Sequence, residues 1–134
     1  MIVVVGCGSK KLDHPAPAAE LYQGSYFKLR LAYAMTLTEP DNIFILSALW
    51  GFLPLSRVVE PYNLKMGERG SIGELELRNQ AIALAISHDR CTVLAGSKYV
   101  KACKAIWPDL EAPLRGRIGE QMAWLKGQAN VALD

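Results

Sequence analysis

The chain has 134 residues, of which 51% are hydrophobic and 21% charged, and carries a formal net charge of +2. That balance excludes a disordered chain, and the length suits one domain with its own core, residues 1–134. No apolar run reaches the ~20 residues of a membrane span, so no membrane partner is expected.

Ile2-Val3-Val4-Val5 is a β-branched run ending at Gly6, which reads as a strand buried on both faces. A short apolar start without a leading positive charge, running into Lys10-Lys11, fits a strand better than a targeting segment. Residues 6–24 are punctuated by Gly6, Gly8, Pro15, Pro17 and Gly24 and read as loop. Ser25 is placed as the cap of a helix to about Leu37, with Phe27, Leu31, Ala34 and Met35 along its apolar stripe. After a turn at Pro40-Asp41-Asn42, Ile43–Leu46 forms a second buried strand ending at Ser47. Residues 47–73 read as one long loop, and a connection of that length is usually functional. A helix over Glu74–Ser87, a strand over Cys91–Ala95 and a helix from Ser97 or Lys98 to about Trp107 follow. Leu110–Leu114 suggests a short fourth strand, Ile118–Lys126 a last helix, and Asp134 the end of a fraying tail. Alternating strands and helices predict a small three-layer α/β fold with a mostly parallel sheet of three or four strands.

In such a sheet ligands bind outside the carboxyl ends of the strands. The first end supplies Gly6-Cys7-Gly8-Ser9-Lys10-Lys11, the second Ser47, Trp50 and Gly51, and the third Gly96-Ser97-Lys98-Tyr99. Glycine N–H groups, Ser9 and the lysine pair suit a phosphate or another anion. The spacing is neither GxxxxGK[ST] nor GxGxxG. A glycine turn with solvated lysines is the equally open alternative. Cys7 reads more readily as a small buried thiol than as a nucleophile, and His14 as a structural or exposed loop residue than as a catalyst. Trp50, Phe52 and Tyr62 can form a stacking wall, and Pro61 fixes the direction of Glu60. A flat aromatic wall with a carboxylate and nearby Lys65 suits a nucleobase or nucleotide. The plainer alternative buries Trp50 and Phe52 and pairs Glu60 with Lys65 at the surface. Arg115, Gly119 and Glu120, before or within the first turn of the last helix, form a third candidate anion site, unless the glycines only turn the chain.

Cys7, Cys91 and Cys103 are the three cysteines, and none forms a CxxC pair. They point to a reducing, cytoplasmic setting and away from a cysteine zinc site. His14 and His88 are too few for a histidine cage, so no metal and no cofactor is expected.

The run Ile45-Leu46-Ser47-Ala48-Leu49-Trp50-Gly51-Phe52-Leu53-Pro54-Leu55, with Glu60-Pro61-Tyr62-Asn63-Leu64-Lys65-Met66-Gly67, closely resembles the signature of the YaaA family of peroxide-stress proteins. Ser9-Lys10-Lys11-Leu12-Asp13 resembles that family's N-terminal segment. Pro113-Leu114-Arg115-Gly116 with Ile118-Gly119-Glu120-Gln121 and Trp124-Leu125 resembles a shorter, YaaA-related bacterial and phage family of unknown function. Glu60 stands where YaaA proteins usually have Gln, and Asn63 where they have Arg. The resemblance implies a cytoplasmic protein near nucleic acid, with DNA binding and a stress response as the family's roles. By analogy of pattern alone the fold is similar to Rossmann-like and uracil-DNA-glycosylase-like domains.

The expectation is therefore a glycosylase-like hydrolase acting on a nucleobase or nucleotide, free or within DNA or RNA. Ser9 and Lys10 hold an anion, Tyr62 and Trp50 stack the base, and Glu60 activates water or stabilises positive charge on the sugar. The remaining binding residues are Gly6, Cys7, Gly8, Lys11, Ser47, Gly51, Lys65, Gly96, Ser97, Arg115, Gly119 and Glu120. A non-catalytic DNA-binding protein is the rival class.

Overall fold

A computed structural model describes the backbone of residues 1–133 and the side chains of residues 1–128. Strand β1 (Ile2–Gly6) is buried along its whole length, as its unbroken β-branched run dictates. It lies parallel between β3 (Ile43–Ser47) and β6 (Cys91–Leu94). Strand β4 (Gly51–Pro54) closes the other side of β3 antiparallel, giving the order β4-β3-β1-β6. The sheet is thus the expected mostly parallel one.

The fourth strand is not the expected one. Leu110–Leu114 contributes a single parallel bridge at Glu111, whose N–H and C=O bond Cys91 and Val93 at 3.0 and 2.8 Å. Pro108 precedes that segment and Pro113 lies within it, and neither can donate to a ladder. Instead the chain turns back through residues 48–50, so that Phe52 and Leu53 pair with Leu46 and Ile45. Their side chains alternate between the two cores: Phe52 packs with Leu77, Ala81 and Trp107, and Leu53 with Tyr22 and Phe27. The residues read as loop hold more structure too. Strand β2 (Ala16–Pro17) pairs antiparallel with β5 (Val58–Val59), and a short helix α1 (Ala18–Leu21) follows β2.

Helices cover both faces. Helix α2 (Ser25–Leu37) packs on the Val3, Val5 and Ile45 side. Gly24, not Ser25, is its N-cap, and no side chain caps it. Helices α3 (Glu74–Ala83) and α4 (Ser97–Lys104) border the Val4, Leu46 and Val93 side. Helix α3 stops short of Ser87 because Ala85 adopts φ 59°. The Ile86 N–H then bonds back to the Ala81 carbonyl at 3.0 Å, and Ile86 enters the core. This left-handed residue and return bond end the helix. Helix α5 (Ile118–Leu133) extends past Lys126 and packs along α2, with Trp124 edge-on to Tyr33 at 5.2 Å between centroids. The expected fraying at Asp134 lies outside the described residues. No helix is long and apolar enough to cross a membrane.

Strand β4 borders the sheet, yet its backbone is not bare. Gln80 of α3 donates to the Trp50 carbonyl at 3.0 Å and accepts the Phe52 N–H at 2.9 Å. Gly51 lies between them at φ 81°, and a Cβ there would drive into the Gln80 amide. Gly51→Ala is therefore expected to lower unfolding free energy by about 2 kcal/mol, combining left-handed strain with displacement of Gln80. Gly127→Ala, in open space on α5, should raise it by about 0.5–1 kcal/mol. Urea denaturation of both variants measures the contrast.

Candidate functional site

Parallel pairing brings the ends of β1, β3 and β6 to one edge of the sheet. Cys7 continues the ladder there, its N–H donating to the Leu46 carbonyl at 3.1 Å. The residue is 7% exposed. Its sulfur lies 3.3 Å from the Tyr99 hydroxyl, which also approaches the Cys7 carbonyl at 3.4 Å.

A chain of hydroxyls stands beside it. Ser47 Oγ accepts the N–H groups of Leu49 and Trp50 at 3.1 and 3.0 Å. With both acceptor positions filled, its proton goes to the Tyr62 hydroxyl 2.6 Å away. Tyr62 then donates to Tyr22, also at 2.6 Å. Burial pushes the Tyr22 phenol up to about 12 and raises Tyr62 and Tyr99 as well. All three are neutral at ordinary pH. Lys11 sits 4.4 Å from the Tyr62 ring centroid and 5.6 Å from that of Tyr22. Burial lowers its pKa. The ammonium occupies one face of Tyr62, and that ring is therefore not the open stacking wall expected of it.

Beneath this rim lies a residue that the sequence reading passed over. Arg30 is 3% exposed, on the stripe of α2 with Phe27 and Ala34, whereas Met35 faces outward. Its guanidinium donates to the Leu94 carbonyl at 3.2 Å and, through Nε, to the Tyr26 carbonyl at 3.3 Å. The group stacks 4.0 Å from the Tyr26 ring centroid. No carboxylate pairs with it among the described residues. Burial lowers its pKa, but a guanidinium remains protonated. Gly6 passes directly against it: a Cβ would lie 3.0 Å from Nη1 and 2.8 Å from the Ala95 methyl. Tyr26 in turn donates to Gln121 Oε1 of α5, and Gln121 Nε2 donates to the Gly116 carbonyl at 2.9 Å. An arginine three residues after Phe27 and four before Ala34 was the available signal.

Some candidate residues fall into three hollows rather than one, and Gly6, Lys11, Ser47, Gly51 and Tyr62 line none of them. Cys7, Gly8, Ser9, Lys65, Lys98 and Tyr99 line a rim cavity of about 300 Å³. Trp50, Arg57, Glu60, Gln80 and Leu84 line an edge cavity of about 560 Å³ beside β4. Gly96, Ser97, Lys101, Lys104, Arg117 and Gln121 line a third, of about 670 Å³, between α4 and α5. Lys10, Arg115, Gly119 and Glu120 are exposed and line none of these. The expected union of Glu60 with Ser9 and Lys10 in one pocket does not form. Val59 pairs with Ala16 in the small sheet, which fastens Glu60 to the edge side. Glu60 and Lys65 form no ion pair; the Lys65 N–H binds Glu68 instead, at 2.7 Å.

The rim and edge cavities share no lining residue, but the chain links them. Glu60 and Tyr62 are two residues apart, so at most about 7 Å separates their Cα atoms. Trp50 is tied to Ser47, and Ser47 to Tyr62. Trp50 is 54% exposed, although its N–H and C=O are both held by side chains. A fixed backbone presents this indole to solvent. Among the described residues no cluster of three or more His, Cys, Asp or Glu could hold a metal ion.

The raised tyrosine gives a pH signature. Tyr22 has a folded pKa of about 12 against about 10 unfolded. Its contribution to stability is complete below about pH 10 and is lost as pH rises through about 12. Urea midpoints should fall from pH 10 upward, and Tyr22→Phe should flatten that fall. A midpoint unchanged between pH 9 and the alkaline end of the titration would contradict the assignment.

No curated protein matches the chain. A family model does match, over residues 2–127, and the chain belongs to that family of unknown function, DUF6884.

Proposed function

We propose that the chain is an enzyme acting on a nucleobase or nucleotide that lies across the rim and edge cavities. The observation that carries this reading is a cationic hollow and an aromatic–carboxylate hollow linked along the chain through the hydrogen-bonded Ser47 and Tyr62. Arg30 supports an anion at the rim. A buried guanidinium without a counter-charge is costly, and a phosphate beside Ser9, Lys65 and Lys98 would offset its potential. Trp50 supports stacking of a base, and Glu60 can accept hydrogen bonds from a base amine. Buried, free Cys7, Cys91 and Cys103 support a reducing, cytoplasmic setting. The resemblance of the middle segment to the YaaA signature supports a nucleic-acid context.

The chemistry follows from Glu60 as general base. Hydrolysis of an N-glycosidic bond breaks C1′–N, joins the water oxygen to C1′, and leaves the electron pair on the departing base. One water proton passes through Glu60, and the base is protonated as it leaves. Ser9 is retained as an anion ligand, whereas Lys10, outside the cavities, is not.

Calorimetric titration with nucleoside monophosphates, followed by chromatography for released base, tests the reading. Glu60→Gln should cut turnover by about 10²-fold or more while keeping binding. Trp50→Ala should weaken binding by about 1–3 kcal/mol. Binding without turnover of any nucleotide overturns the enzymatic reading, and turnover retained in Glu60→Gln removes that residue from its role.

A further inference from the structure

The charged side chains that line the third cavity are all cationic. Lys101, Lys104 and Arg117 line it, and no carboxylate does. None of the three is in an ion pair among the described residues, where the pairs are Asp13–His14 and Arg90–Glu111. The nearest acid by sequence, Glu120, lies against Gly116, which lines the cavity, so one carboxylate borders the three cations.

The same helix carries positive charge from the rim to this cavity. Lys98 lines the rim cavity, while Lys101 and Lys104 line the third. Their spacing of three residues sets them along one side of α4, and Lys98 and Lys104 are separated by about 9 Å along its axis. Like charges at that spacing repel and destabilise a helix slightly, so the row gains most from an extended anion laid along it. An anion bound at the rim alone would reach only the first lysine.

We propose that Lys101, Lys104 and Arg117 hold backbone phosphates of a single-stranded nucleic acid whose terminal nucleotide fills the rim and edge cavities. The inference rests on the nucleotide reading above and names its substrate as polymer rather than free nucleotide. A single strand fits because Trp50 requires an unstacked base face. The phosphates beyond that nucleotide then follow α4 to the third cavity.

The test compares three kinds of probe for A, C and T: deoxynucleoside monophosphate, triphosphate and six-residue homo-oligonucleotide. The wild-type chain is set beside Lys101→Gln/Lys104→Gln/Arg117→Gln and a control, Lys28→Gln/Arg69→Gln/Arg90→Gln, which removes the same charge elsewhere. All the substituted side chains are exposed, so both variants should fold, and circular dichroism checks this. An oligonucleotide should bind the wild type at least tenfold more tightly than its monophosphate. The cavity variant should lose most of that gain and keep monophosphate affinity. Its log K against log salt should be shallower by about 2, at about 0.7 per phosphate contact on a single strand. The control should keep the gain. A triphosphate that gains as much as the oligonucleotide, or a control that loses as much as the cavity variant, overturns the proposal. Monophosphate binding with no oligonucleotide gain overturns it and spares the nucleotide reading; no binding of any probe overturns both.

Discussion

A positive charge sealed inside the sheet–helix interface organises the strand-end rim of this fold. Arg30 cannot reach solvent, and its guanidinium has carbonyls and a tyrosine ring for partners rather than a carboxylate. Several features answer to it. The last residue of β1 must be glycine, because any side chain there meets the guanidinium. Tyr26 must lie flat beneath it, and that ring's hydroxyl reaches across to α5. Helix α5 is thus fastened near its start by the same ring on which the guanidinium stacks. A buried ion of this kind is weak evidence for stability. Its consequence is electrostatic: an anion approaching the strand ends meets a cation already fixed and already desolvated.

The short antiparallel additions decide how the site is divided. Strand β4 turns the chain back after Ser47, which displays Trp50 on the outer border of the sheet. The β2–β5 pair then carries Glu60 to that border, and Pro61 returns the chain to the rim at Tyr62. Ser47 joins the two regions, taking two backbone N–H bonds from the turn and giving its own proton to Tyr62. A small hydroxyl at the end of a parallel strand therefore couples the turn's geometry to the phenol chain.

The parallel strands and their burial were legible because long β-branched runs have few alternatives. Glycine, serine and lysine at their ends marked the rim for the same reason. The antiparallel pieces were not legible. Gly51–Pro54 is short, ends in proline and looks like loop, and its status as a strand comes from pairing with β3. The two-residue strands have no periodicity at all. Arg30 was hidden by its chemistry, since an arginine on an apolar helix stripe is ordinarily assigned to the surface. Tyr22 and Tyr26 lay outside the motifs that drew attention, and only tertiary contacts gave them roles. The division of Glu60 from Ser9 likewise arises from the β2–β5 pairing, a contact between segments far apart in the chain.

The amide of Gln80 has a consequence for the solution behaviour of the chain. An uncovered border strand is a template on which another chain can add its own backbone, the first step toward aggregation. Here a side-chain carboxamide imitates the missing neighbour, using one donor and one acceptor against Trp50 and Phe52. An incoming strand would have to evict it before registering with the sheet. The same glutamine that steadies the exposed indole therefore also guards against cross-strand self-assembly.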